Sequence, residues 1–135
     1  MPTLSFVVPG IAKPQGSKTA RVYNGKAVMF EAVKGAKEWR SVVVDYAWHE
    51  AKSVGWVQPG KETPVTLSIV FQFVRPLSSK REQPTVKPDL DKLIRNVSDG
   101  LTTAQVWADD SQVTEITASK QYGDEPQVFV QVTYA

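Results

Sequence analysis

A chain of 135 residues, 41% hydrophobic and 22% charged, has room for one compact domain with a true core and none of the bias of a disordered chain. Sixteen Lys and Arg against fourteen Asp and Glu leave a net charge of only +2, too little by itself to argue for a nucleic-acid partner. The absence of cysteine excludes a disulfide framework and any thiolate metal site.

The elements are expected in this order. Residues 3–8 alternate, with Leu4, Phe6 and Val8 on one side, and read as a strand ending at Pro9-Gly10. Residues 11–30 carry Pro14, Gly16, Gly25 and several cations and read as a long loop, with room for a short hairpin at Asn24-Gly25. Residues 31–54 read as a helix with the apolar stripe Trp39, Val42, Val43, Tyr46 and Ala47. Val65, Leu67, Ile69, Phe71 and Phe73 mark a strand over 65–74, followed by a polar, basic loop to Pro88. A second helix is expected over 90–104, buried through Leu90, Leu93, Ile94, Val97, Leu101 and Ala104, with Asp89 as its cap. Strands over 112–121 and 127–134, joined by Gly123-Asp124-Glu125-Pro126, close the chain. The expected architecture is a single α+β domain over residues 1–135. Two helices cover one face of a small, mixed, mostly antiparallel sheet in the order β-α-β-α-β-β.

Charge is segregated along the chain. Residues 13–40 carry a surplus of five positive charges and residues 75–87 a surplus of three, whereas residues 89–125 carry five excess negative charges. Basic loops flanking an acidic centre suit a nuclease, where cations hold phosphates and carboxylates hold a metal. The same layout also describes two solvated basic loops beside an acidic hairpin.

The acidic centre has two parts. Asp89 and Asp91 straddle the start of the second helix, where exposed amides and the helix dipole favour carboxylates. Asp109 and Asp110 lie where that helix hands over to the next strand, a point that can return towards the helix start in a small domain. Mg²⁺ takes oxygen ligands and keeps several waters, so two or three such carboxylates are a natural holder. Arg95 and Asp99 follow Asp91 at four-residue intervals. They read either as a surface ion ladder or, for Arg95, as a cation placed beside a phosphate. His49 reads as a surface residue of the first helix. The tryptophans read as core or interface, with only Trp107 close enough to Asp109 to stack near DNA.

With DLDKL at residues 89–93, VWADDSQV at 106–113, Lys120 and the closing QYGDEPQVFVQV, the sequence resembles the RusA family of Holliday junction resolvases. The resemblance spans nearly the whole chain and is most specific over residues 87–122. It implies a homodimeric, Mg²⁺-dependent endodeoxyribonuclease that resolves four-way DNA junctions by paired symmetric nicks in recombination and repair. Asp89, Asp91 and Asp110 match the family's metal and catalytic carboxylates, and Asp109 is a neighbour with a weaker claim. The family's usual Lys four residues after the second Asp is Arg95 here, which keeps the charge but never the neutral amine. Lys18, Arg21, Lys80, Arg81, Lys87 and Lys120 are the expected DNA contacts. Each metal site is expected from one chain's three aspartates, with first-helix residues such as Val44 and Trp48 as interface surface. The rival readings are a nuclease for forks or flaps and a non-catalytic DNA-binding protein. With no apolar run long enough to span a bilayer and no signal-peptide pattern at the start, the expected location is the cytoplasm.

Overall fold

The computed structural model describes the backbone of residues 1–16, 18–23, 25–31 and 35–135, and the side chains of residues 1–16, 25 and 35–135. The chain runs β1 (Thr3–Pro9), β2 (Lys18–Tyr23), β3 (Lys26–Glu31), α1 (Ala36–Val54), β4 (Val65–Phe73), α2 (Leu90–Thr103), a short 3₁₀ turn (Asp110–Gln112), β5 (Val113–Tyr122) and β6 (Gln127–Tyr134). Four strands form one sheet in the order β1-β6-β4-β5. β6 is antiparallel to both β1 and β4, whereas β4 and β5 are parallel. That parallel pair needs a crossover, and α2 supplies it.

The alternation read in the sequence selects the buried face. Leu4, Phe6 and Val8 of β1, Leu67, Ile69 and Phe71 of β4, and Val128, Val130 and Val132 of β6 are all buried. The helices cover this face with Trp39, Val43 and Ala47 from α1 and Leu93, Val97 and Leu101 from α2. The opposite face carries Ser5, Ser68, Gln131 and Thr133 around the half-exposed Val7 and Phe129. The α+β class and the order of sheet strands and helices are therefore as expected.

Two local expectations are corrected, and one is met in a fuller form. The hairpin for which residues 11–30 had room at Asn24-Gly25 is present as β2–β3, with Tyr23 opposite Lys26 and Gly25 at φ 77°. The proposed turn residue Asn24 lies outside the described residues. Glu31 belongs to β3 rather than to the first helix, which begins at Ala36 after Gly35 in the left-handed region. Tyr46 is 42% exposed, so the buried stripe of α1 is Ala36, Trp39, Val43 and Ala47.

The helices meet at Gly100. A β-carbon there would lie 3.0 Å from Cγ1 of Val43, so the absence of a side chain sets how closely α2 approaches α1. Next to it Asn96 is fully buried. Its amide nitrogen donates to the carbonyls of Lys13 and Ala36 (both 3.0 Å), and its Oδ1 accepts from Arg40 Nε at 2.8 Å. One polar side chain thus ties α2, the start of α1 and the chain that leads into the basic hairpin.

Candidate active site

Asp89 occupies the position before the first turn of α2, in extended conformation (φ −69°, ψ 138°). Its carbonyl accepts from the amide of Leu93 at 3.1 Å, but its side chain makes no capping hydrogen bond. The expected side-chain cap is therefore not formed. The carboxylate is exposed and, among the described residues, meets the ammonium of Lys92 alone, at 3.6 Å. Asp91, in the first turn, is exposed as well. Two carboxylates stand at the positive end of a 14-residue helix with their oxygens available.

Beside them opens a cleft of about 530 Å³, walled by Ile11, Lys13, Lys87, Pro88, Asp89 and Lys92 among others. Three lysines around one aspartate, over an apolar floor, suit a phosphate-bearing chain that approaches a carboxylate-held cation. The amide of Gln15 donates to the carbonyl of Lys92 at 3.0 Å and locks one wall of the cleft to α2. Lys87 is exposed at the rim. Arg95 is exposed one turn beyond Asp91. Among the described residues it forms no ion pair with Asp91 or Asp99, so the ladder reading is not realised.

Asp110 lies elsewhere. It follows α2 as Asp89 precedes it, and a helix of 14 residues is about 20 Å long. Among the described residues no group of three or more acidic or histidine side chains is placed to hold a metal. Asp109, Asp110 and Asp99 interact instead. The Asp109 carboxyl is held below the usual carboxylate range, first by a hydrogen bond from Ser111 (Oγ to Oδ2, 2.8 Å) and then by one shared with Asp110. Asp110 is pushed above it by its hydrogen bond with Asp109, by burial, and by the charges of Asp109 and Asp99. One chain thus assembles Asp89 with Asp91, and Asp109 with Asp110, but does not bring the two groups together.

The Asp109–Asp110 turn is built by Gln112, whose role sequence reasoning missed. Its Oε1 accepts from the amides of Ala108 (2.9 Å) and Asp109 (3.1 Å), and its Nε2 donates to the carbonyls of Gly60 (2.8 Å) and Thr63 (3.1 Å). A glutamine two residues past an Asp-Asp pair, at the start of a strand, was the available signal. Trp107 is fully buried and donates to Thr102 Oγ1 at 2.7 Å, so it is a core residue and not a DNA platform. Trp48 is 45% exposed beneath the Lys52 ammonium, with His49 at its edge.

The basic segments divide. Lys80 is exposed. Arg81 donates to the carbonyl and hydroxyl of Thr85 (2.9 and 3.2 Å), and its own carbonyl accepts from Arg75 at 3.4 Å. That guanidinium therefore shapes the loop that carries it. Lys18 and Arg21 lie in β2, where Arg21 stands opposite Val28; their side chains are outside the described residues.

The fold and site define a small α+β protein with an open carboxylate pair at a helix entrance, bordered by lysines. Residues 11–133 match the family model for endodeoxyribonuclease RusA, and the chain belongs to that family. It is 28% identical to the uncharacterized protein YqaN of Bacillus subtilis, over 98% of this chain and 96% of that one. It is 32% identical to the crossover junction endodeoxyribonuclease rusA of Lactococcus phage r1t, over 54% of this chain and 56% of that one. No helix among the described residues is long and apolar enough to cross a membrane.

Proposed function

We propose that the protein is an Mg²⁺-dependent endodeoxyribonuclease that resolves four-way DNA junctions by paired nicks, acting as a homodimer. The observation that carries this reading is the uncapped, exposed Asp89 in a lysine-lined cleft, with the exposed Asp91 beside it in the first turn of α2, within a chain of the RusA family. Hard carboxylate oxygens not spent on capping the helix suit Mg²⁺, which takes oxygen ligands and keeps several waters. When bound, the ion lowers the pKa of a water and polarises the phosphate under attack. Lys13, Lys87 and Lys92 hold the phosphate chain along the cleft, and Arg95 offsets charge that builds on the phosphate undergoing hydrolysis. The exposed Lys80 extends the positive surface that meets the arms of the junction, and Lys18 and Arg21 stay proposed DNA contacts on the strength of the sequence.

A dimer also answers the separation of the aspartates. β5 is an edge strand. Asp110 precedes its first residue, and the Asp89 end of α2 lies towards its last, because α2 is the crossover between two parallel strands. A two-fold axis at this edge reverses the strand direction in the second copy. One chain's Asp110 then approaches the other's Asp89 and Asp91, and each junction strand meets one complete site. Mixing Asp91→Asn with Asp110→Asn protein tests this. Sites shared between chains restore one intact site per mixed dimer, so single nicks appear although neither variant cuts alone. Sites built within one chain leave every mixture dead.

Cleavage itself is tested by incubating the protein with a four-way junction, a fork and a linear duplex, with and without Mg²⁺. Symmetric, metal-dependent nicks in the junction alone are expected. Preferential cutting of the fork would favour the branched-DNA alternative, and binding without cutting would leave only the non-catalytic one.

A further inference from the structure

Lys120 is a cation whose donors face its own chain. It stands on β5 opposite Phe71 of β4, on the sheet face covered by the helices. Its ammonium donates to the carbonyl of Val86 at 2.8 Å and to that of Pro88 at 2.9 Å. Two of its three N–H donors are thereby engaged, in charge-assisted bonds that are stronger than neutral ones. Its aliphatic stem lines a small cavity of about 160 Å³ with Phe73, Pro84, Val86, Pro88 and Tyr122.

The two accepting carbonyls bracket Lys87, and the second belongs to the residue that precedes Asp89. The chain from Val74 to Asp89 has no helix or strand of its own. Arg81 and Thr85 tie its middle, but the hydrogen bonds that fasten residues 84–88 to the sheet, among the described residues, both come from Lys120. A lysine kept for DNA phosphate is better placed with all its donors in solvent.

We propose that Lys120 is a positioning residue. It anchors the backbone ahead of α2 and so holds the Asp89–Asp91 pair in place, rather than gripping DNA itself. Its effect on cleavage rests on the metal-dependent nuclease reading; the anchoring does not.

Lys120→Met keeps the stem and removes the donors, whereas Lys120→Arg keeps donors that reach both carbonyls. Three quantities are measured for each variant: amide hydrogen exchange over residues 85–92 in the free protein, the Mg²⁺ concentration for half-maximal junction cleavage, and metal-free junction affinity against salt. Lys120→Met is expected to speed exchange over 85–92 and to raise the Mg²⁺ requirement about 10- to 100-fold, as loss of a support behind a metal ligand does. Its metal-free affinity and salt slope stay those of the wild type, and Lys120→Arg recovers both exchange and Mg²⁺ requirement. The proposal is overturned if Lys120→Met leaves exchange unchanged. It is also overturned if that variant weakens metal-free binding and lowers the salt slope by about one while the Mg²⁺ requirement holds, the mark of a lost phosphate contact. Should the wild type cut no DNA, the nuclease reading fails, and exchange alone still decides the anchoring.

Discussion

Asp89 and Asp91 differ from Asp109 and Asp110 in what surrounds their oxygens. Among the described residues the first pair has one lysine, 3.6 Å from Asp89, and no capping hydrogen bond to the Asp89 side chain, so its charge is available to a cation. Asp89→Asn and Asp91→Asn are each expected to lower junction cleavage at least about 100-fold, the scale on which loss of electrostatic support in an active site is felt. Folding and metal-free junction binding should persist, as read by circular dichroism and gel shift. Asp110 carries a cost instead. Its carboxyl is raised above its ordinary value, so its contribution to stability is present below the unfolded pKa and is lost as pH rises through the higher folded value. Asp110→Asn should therefore melt about 1–2 °C higher than wild type at pH 7, a small gain because the group is largely solvated, and lose that gain near pH 3. A melting temperature that falls at pH 7 would show that the carboxylate stabilises its turn. Gln112 runs the other way. Gln112→Ala removes the partner of two part-buried amides and two part-buried carbonyls and should cost about 1–3 kcal/mol in urea unfolding. The raised Asp110 carboxyl was not legible in the residue string, and Gln112 showed there only as a glutamine after an Asp-Asp pair. Aspartates were visible there as a DxD and an Asp-Asp pair, but which of them is paired, raised or free depends on neighbours as remote in sequence as Asp99 and Gly60.

At the scale of elements, alternation and helical period carried most of the information. The buried faces of β1, β4 and β6 were readable from period two, and Leu93, Val97 and Leu101 from the helical stripe. The start of α1 was not, because Glu31 is helix-compatible on its own and only its pairing with Lys18 assigns it to a hairpin strand. Asn96 and Gly100 were also invisible as packing residues, since a polar side chain and a missing one leave no mark in a hydrophobic pattern. Their importance comes from where α1 lies. Gly100→Val would drive a branched side chain into Val43 and is expected to cost about 1–3 kcal/mol, despite the better helix propensity of valine over glycine. Unchanged stability in urea would mean that the α1–α2 contact yields easily.

Taken as a whole, the molecule sets acids at two ends of one helix and two basic segments ahead of that helix in the chain. Net charge concealed this, and only its distribution revealed it. The separation of Asp110 from Asp89 was beyond sequence reasoning, because it follows from β4 and β5 being parallel, a pairing that local pattern does not encode. Reversing charge at Lys80 and Lys87 together should weaken metal-free binding to junction, fork and duplex alike and flatten its dependence on salt by about two counterions. A loss confined to the junction would assign these lysines to shape recognition.

The most direct test of the account follows both strands of one four-way junction, labelled separately, after Mg²⁺ is added to the preformed complex. No cleavage is expected before the addition, and afterwards nicks at symmetric positions in two strands of like polarity, with linear duplex left intact. Cutting that proceeds in excess chelator, or a bound junction that stays uncut at millimolar Mg²⁺, would contradict it.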